Sequence, residues 1–171
     1  KVDIPPLKET KNAVLQVLYV GRGAPQKRVH LIAEIARQMH QAREPAQFSF
    51  VGDVENIIPA DVREYVTLYG NIGDVKELHN IYVNSDVLIL TSAYEGLPIV
   101  IMDMMARGKI VISTAVDGIP DYITHMENGL LITEKEETKI IQQGAEFLKL
   151  LITNPELKGE IGRKSYHYAL K

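Results

Sequence analysis

The chain has 171 residues, of which 46% are hydrophobic, and its 22 acidic and 19 basic side chains give a net charge of −3. This size and composition predict one well-buried domain and exclude a disordered chain, and the mild mixed charge excludes the basic surface of a nucleic-acid-binding protein. Cysteine is absent, which excludes disulfides, thiol catalysis and Cys–zinc sites, and no apolar run is long enough to cross a membrane.

Short apolar runs alternate with amphipathic segments along most of the chain. Residues 1–12 are polar around Pro5 and Pro6, so we interpret them as an interdomain linker or an entry segment, and residues 13–171 as the domain. The predicted strands are residues 13–20, 47–51, 65–69, 86–90, 109–113 and 129–132. The predicted helices are residues 27–42, 74–83, 98–107, 136–152 and 155–171.

Several of these helix ends carry specific signals. Asp74 has the side chain of an N-cap with Glu77 at the capping-box position, and Pro98 and Gly108 bracket the third helix. Strands that alternate with helices, several of them continuous apolar runs, are typical of a parallel sheet buried on both faces. The sequence therefore predicts the α/β class, with a doubly wound, Rossmann-like parallel sheet of about six strands.

The turn after the first strand carries two glycines and two cations. Gly21 and Gly23 allow a tight backbone turn, and Arg22 and Lys27 could hold a diphosphate. Exposed cations around an ordinary strand-to-helix turn are the simpler alternative. A dinucleotide site, with Asp53 on a ribose, is a weaker one, because a glutamine stands at the third glycine position.

The turn after the fourth strand carries a carboxylate. Glu95 and Gly96 precede Leu97 and Pro98, and Asp103 follows eight positions after Glu95. Helical rise would separate the two carboxylates by roughly 12 Å, comparable with the two ends of a nucleotide sugar. The alternative interpretation makes Glu95 a turn or cap residue and Asp103 an exposed position on a helix. Both turns should lie at the carboxyl edge of the sheet, where open α/β sheets bind ligands.

Several short motifs follow one another in a fixed order. They are Gly21-Arg22 with Lys27, Val51-Gly52-Asp53, Tyr69-Gly70-Asn71, Ser92 to Pro98, Met102 to Gly108, Asp117 to Asp121, and Glu127 to Leu131. This series, spaced over residues 14–157, resembles the donor half of a retaining GT-B glycosyltransferase of "glycosyl transferases group 1", family four of the usual classification. The resemblance implies a domain that forms the C-terminal half of a GT-B fold.

The resemblance also implies roles for individual residues. Arg22 and Lys27 match the cations that bind the donor diphosphate, with Gly21 in the same turn. Glu95 matches the first of the family's paired glutamates, which contacts the donor sugar. Asp103 matches the second, which contacts the nucleotide ribose, and is one methylene shorter than the usual glutamate. Glu95, Arg22 and Lys27 are accordingly the predicted catalytic residues.

The other predicted donor-binding residues lie in neighbouring turns. Gly96 and Leu97 would bring backbone N–H groups near the phosphate, whereas Pro98 has none to donate. Ile99 is assigned to the same set. The segment Gly70, Asn71 and Ile72 matches the part that packs against the base, and residues 116–118 match the loop below the donor sugar.

The resemblance implies that the full-length protein transfers a hexosyl group from a UDP- or GDP-sugar to an acceptor with retention. No Asp-x-Asp motif and no pair of histidines at ligand spacing occurs, so we expect neither a metal nor a cofactor. The chain begins at Lys1, and we expect it to lack an N-terminal acceptor domain and to be inactive alone.

The implied setting is bacterial polysaccharide biosynthesis in the cytoplasm, peripheral to the inner membrane face through the absent domain. The predicted partners are the nucleotide sugar and that domain, with no nucleic acid. The alternatives are a non-catalytic nucleotide-binding or interaction module and a GT-B sugar-nucleotide epimerase.

Overall fold

A computed structural model describes Leu7 and residues 12–96 and 98–171. Its strands form one parallel sheet in the order β3-β2-β1-β4-β5-β6. They are β1 (Leu15–Val20), β2 (Ala46–Val51), β3 (Thr67–Gly70), β4 (Val87–Leu90), β5 (Ile110–Thr114) and β6 (Leu130–Ile132). The order reverses direction between β1 and β4, which confirms the predicted doubly wound, Rossmann-like sheet.

The helices cover both faces of this sheet. They are α1 (Val29–Gln41), α2 (Ala60–Arg63), α3 (Val75–Asn84), α4 (Ile99–Met105), α5 (Ile119–Tyr122), α6 (Glu137–Thr153) and α7 (Pro155–Ala169). A single 3-10 turn, Pro25–Lys27, precedes α1. Helix α1 packs against α6, and α4 packs against α7.

The core forms because the central strands are apolar at successive positions. Every residue of β4 and β5 is buried, as strands covered on both faces require. Tyr19 and Phe50 are among the largest fully buried side chains, and their ring centroids lie 6.2 Å apart across β1 and β2. This rigid sheet fixes the direction in which the loops at its carboxyl edge leave.

The element boundaries differ from the prediction in a few places. Helices α2 and α5 span only four residues each, too few for a helical repeat to be visible in the sequence. Helix α4 starts after Pro98, which is its N-cap, and the chain turns at Gly108 with φ 68°. The predicted cap of α3 is confirmed, because the Asp74 carboxylate accepts from the Lys76 N–H at 2.8 Å.

The predicted linker falls mostly outside the described residues, of which it contributes only Leu7 and Asn12. A cavity of about 450 Å³ lies at the amino edge of the sheet, beside Leu15, Asp86 and Ile110, and so lies opposite the predicted ligand edge. Within the described part of the chain, no helix combines the length and the apolar character needed to span a bilayer.

Candidate functional site

The two predicted ligand turns meet where the strand order reverses. Strands β1 and β4 are parallel neighbours, with Val17 paired to Val87, so their loops leave side by side. The Ala93 N–H after β4 donates to the Gln26 carbonyl after β1 at 2.8 Å. The turn with Arg22 and Lys27 and the turn with Glu95 therefore form one continuous surface at the carboxyl edge.

Lys27 and Glu95 form an ion pair between these two turns. The Lys27 Nζ lies 2.7 Å from Glu95 Oε1 and 2.8 Å from Oε2, and the two side chains are 18% and 5% exposed. The Ser92 hydroxyl also donates to Glu95 Oε1. Such a contact, largely removed from water, is stronger than an exposed surface pair. The predicted diphosphate cation and the predicted sugar carboxylate thus contact each other directly.

A second carboxylate holds the backbone of the Glu95 turn. Asp117 Oδ2 accepts from the Glu95 N–H at 2.6 Å. Asp117 has a left-handed backbone, with φ 47°, in the loop between β5 and α5. This is the loop that the resemblance places below the donor sugar. Loops from β1, β4 and β5 therefore converge on Glu95.

Glycines let the backbone of the first turn approach the turn after β2. A Cβ on Gly52, whose φ is 125°, would overlap the Gly21 carbonyl oxygen, and one on Gly23 would overlap the Asp53 carbonyl oxygen. A Cβ on Gly21 would lie 2.6 Å from the Tyr19 hydroxyl. Gly23 and Gly52 therefore allow close packing between the two loops, and Gly21 leaves room for the Tyr19 side chain.

Replacing Gly52 by alanine is expected to lower the free energy of unfolding by about 3 kcal/mol or more, because the left-handed backbone and the overlap with Gly21 both oppose a side chain. Urea denaturation measures this change. Gly73→Ala is the matched control, since a Cβ there meets no atom within 4 Å. Equal effects of the two substitutions would contradict the expected packing.

Arg22 and Tyr19 form the outer end of the first turn. The Tyr19 hydroxyl donates to the Arg22 carbonyl at 2.9 Å, which fixes the backbone from which Arg22 extends. Burial, and secondarily the nearby negative charge of Glu95, raise the pKa of Tyr19 well above its usual value. The Arg22 side chain is exposed, and no hydrogen bond or ion pair joins its guanidinium to another described residue.

Asp103 lies on α4, on the side facing α3. Its side chain is 44% exposed, and its Oδ1 lies 3.8 Å from Nη1 of Arg107. The Arg107 guanidinium also lies 5.3 Å from the centre of the Tyr82 ring and donates to His79 Nδ1 at 3.2 Å. The 12 Å spacing expected from Glu95 assumed helical rise throughout, but α4 begins only at Ile99.

The remaining predicted donor-binding residues lie around the same edge. Gly70 and Asn71 are exposed at the end of β3, and Ile72 is partly buried. Gly96 is exposed, and Ile99, at the start of α4, is 75% exposed. Leu97 lies outside the described residues.

The sequence model of one family, "Glycosyl transferases group 1", matches residues 5–167 of the chain. The chain belongs to the group 1 glycosyl transferases. Its six-stranded parallel sheet is the predicted Rossmann-like fold, and the C-terminal domain of another group 1 protein shares it.

Several glycosyltransferases are similar to this chain in sequence or in fold. The putative colanic acid biosynthesis glycosyltransferase WcaL of Escherichia coli is 25% identical over 148 residues, or 80% of this chain and 36% of that protein. Among solved structures, the C-terminal domain of the group 1 protein LpcC from Francisella tularensis matches with a TM-score of 0.77 and 22% identity. The match covers 91% of this chain and 84% of that domain.

A third similarity is to the pneumococcal O-GlcNAc transferase GtfA, solved in complex with UDP and GlcNAc. The TM-score is 0.80 at 22% identity, and the match covers 91% of this chain and 32% of that one. The chain spans about a third of the length of the first curated relatives that it matches. The matched parts are 37%, 31% and 33% of those proteins.

Several contacts that shape the site were not predicted, although Ser92 and residues 116–118 belong to motifs that the sequence revealed. Ser92 and Asp117 contact Glu95, and Arg28 and Thr91 link the two turns. Most of these contacts reach backbone atoms in another loop, so no spacing between charged residues reveals them. For Arg28, the only signal in the sequence was its position next to Lys27.

The histidines have separate surroundings. His30 pairs with Glu137, His40 stacks on the Tyr65 ring, and His125 Nδ1 accepts from the Leu131 N–H. Within the described residues, no three His, Asp or Glu side chains are grouped to hold a metal ion. Metal-independent transfer stays a prediction.

Proposed function

We propose that this chain is the donor-binding domain of a retaining glycosyltransferase whose donor is a UDP- or GDP-hexose. The observation that carries the proposal is the ion pair of Lys27 and Glu95 at the switch point of the sheet, with Arg22 exposed in the same turn as Lys27. Two cations and a carboxylate at this edge suit a diphosphate joined to a polyhydroxylated sugar. The complex of GtfA with UDP and GlcNAc, on the same fold, supports this choice of ligand.

In the proposed reaction, the bond between the sugar anomeric carbon and the diphosphate oxygen breaks, and its electrons leave with the diphosphate. The acceptor hydroxyl oxygen then bonds to the anomeric carbon on the same face, and its proton passes to the departing diphosphate oxygen. Arg22 and Lys27 would stabilise the negative charge that develops on the diphosphate, because fixed cations act strongly in a poorly hydrated site. We propose that this stabilisation needs no metal ion.

The two carboxylates would hold opposite ends of the donor. Glu95 would accept hydrogen bonds from hydroxyls of the hexose and stabilise positive charge at the anomeric carbon. Asp103 would accept hydrogen bonds from the ribose hydroxyls, since an ionised carboxylate offers two acceptor oxygens. Its partial exposure and its distant contact with Arg107 leave those oxygens accessible.

The acceptor would be bound by a second domain beyond this chain, and the whole enzyme would act in polysaccharide biosynthesis. The name of the E. coli relative, a putative colanic acid biosynthesis glycosyltransferase, supports this setting. We propose a cytoplasmic enzyme whose second domain associates peripherally with the inner face of the membrane.

Calorimetric titration of the chain tests the proposal. We expect saturable binding of UDP or GDP at least about tenfold tighter than binding of the matching monophosphate, because the second phosphate adds charge-assisted hydrogen bonds to the two cations. We also expect no sugar transfer by the chain alone. Absence of saturable diphosphate binding would favour a non-catalytic module, and robust transfer would show that the second domain is not needed.

The epimerase alternative concerns the full-length protein. Product analysis with and without acceptor distinguishes an epimerase from a transferase, because an epimerase changes the sugar nucleotide when no acceptor is present. Without acceptor, we expect the starting sugar nucleotide to stay unchanged. A glycoside should form only when acceptor is added.

A further inference from the structure

We propose that Arg28 is a positioning residue that keeps Lys27 and Glu95 close enough to act on one donor. The inference rests on the proposed donor site, because that site supplies one of its readouts. Arg28 follows Lys27 directly and separates the turn Pro25–Lys27 from α1.

The Arg28 guanidinium joins the first turn to the end of β4. Its Nε donates to the Thr91 carbonyl at 2.8 Å, and its Nη2 donates to the Ser92 carbonyl at 3.0 Å. Thr91 and Ser92 are fully buried. Buried carbonyls need donors, and a charged donor with two fixed N–H groups holds them in one orientation.

Hydrogen bonds in the opposite direction complete the link. The Thr91 hydroxyl donates to the carbonyls of two neighbouring residues, at 3.0 Å to Arg28 and 3.3 Å to Lys27. The backbones that carry Lys27 and Glu95 are thereby attached to each other beside the ion pair. Loss of the guanidinium would let the two turns separate, and a diphosphate–sugar would then meet a misplaced cation or carboxylate.

The backbone of Arg28 allows this role to be tested apart from folding. Arg28 has φ 46° and ψ 45°, a left-handed conformation that glycine adopts far more easily than arginine. Glycine at this position therefore relieves the backbone while it removes the guanidinium. Arg43 provides a matched control, because it also has a left-handed backbone, with φ 56°, but is exposed beyond the other end of α1.

The experiment compares Arg28→Gly, Arg28→Lys and Arg43→Gly in the same chain. We expect Arg28→Gly to weaken UDP binding about tenfold and Arg28→Lys about threefold, since lysine can reach a carbonyl but lacks the rigid pair of donors. Arg43→Gly should leave UDP affinity unchanged. Amide hydrogen exchange supplies a readout that needs no nucleotide, and Arg28→Gly should speed exchange of the Ala93 N–H, which donates to Gln26, about tenfold.

Each outcome decides between the possibilities. UDP binding by Arg28→Gly within about twofold of the parent, with Ala93 still protected, would overturn the positioning role. Absence of UDP binding in the parent would reject the proposed function, and Ala93 exchange alone would then decide whether Arg28 holds the turns. If Arg28→Gly lowers the melting temperature by more than about 5 °C, the comparison moves to Arg28→Lys, whose affinity must fall for the proposal to stand.

Discussion

Replacing Arg22 by alanine is expected to lower the affinity of the chain for UDP about 100-fold, because a bidentate, charge-assisted contact with the diphosphate is lost. The melting temperature should not change, because the Arg22 side chain is exposed and no described residue pairs with its guanidinium. Isothermal titration calorimetry measures the first quantity and scanning calorimetry the second. A loss of affinity without a loss of stability identifies a binding residue.

Two variants sharpen the Arg22 experiment. Arg22→Lys keeps the charge but not the fork of donors, so its affinity should lie between those of the parent and Arg22→Ala. Arg43→Ala removes an exposed arginine from the opposite edge of the sheet and controls for net charge. UDP binding by Arg22→Ala within about threefold of the parent would exclude Arg22 from the diphosphate site.

Replacing Glu95 by glutamine is expected to act in opposite directions on binding and on transfer. UDP should bind the variant about fivefold more tightly, because Lys27 would no longer be neutralised by a carboxylate and the diphosphate would lose a nearby like charge. Transfer by the full-length enzyme should fall at least about 100-fold, because the group that stabilises the anomeric carbon is gone. Titration calorimetry and initial-rate measurements test the two halves.

Glu137→Gln is the matched control for Glu95→Gln. It removes one negative charge at the start of α6, where Glu137 pairs with His30, and leaves Lys27 and its partner intact. We expect no change in UDP affinity or transfer. Weaker UDP binding by Glu95→Gln would mean that the carboxylate does not compete with the diphosphate for Lys27, and the interpretation of the ion pair would be wrong.

The overall fold was predictable because its signals are local. Buried strands such as β4 and β5 read as continuous apolar runs, and the Asp74 cap of α3 is a short-range pattern. Helices α2 and α5 escaped prediction because four residues hold little more than one helical turn. The doubly wound parallel class followed from the alternation of strands and helices, whereas the order of the strands came only from the structure.

The candidate site was predictable only in part. The rule that parallel strands end at one edge brought Arg22, Lys27 and Glu95 to the same place. It could not show that Lys27 and Glu95 touch, because that contact depends on side-chain torsions and on the left-handed backbone at Arg28. The contacts of Ser92 and Asp117 with Glu95 were not predicted for a related reason, since they depend on how the turns fold, although both residues belong to motifs named from the sequence.

The crowding between glycines also limits how this domain can be redesigned. The turns after β1 and β2 share contacts in which Gly52 meets Gly21 and Gly23 meets Asp53, so grafting one turn from another enzyme would require grafting both. The loop after β3 is different, because a side chain on Gly73 would meet no atom within 4 Å. Since that loop is predicted to face the base, attempts to change the base specificity should begin there, as a single graft.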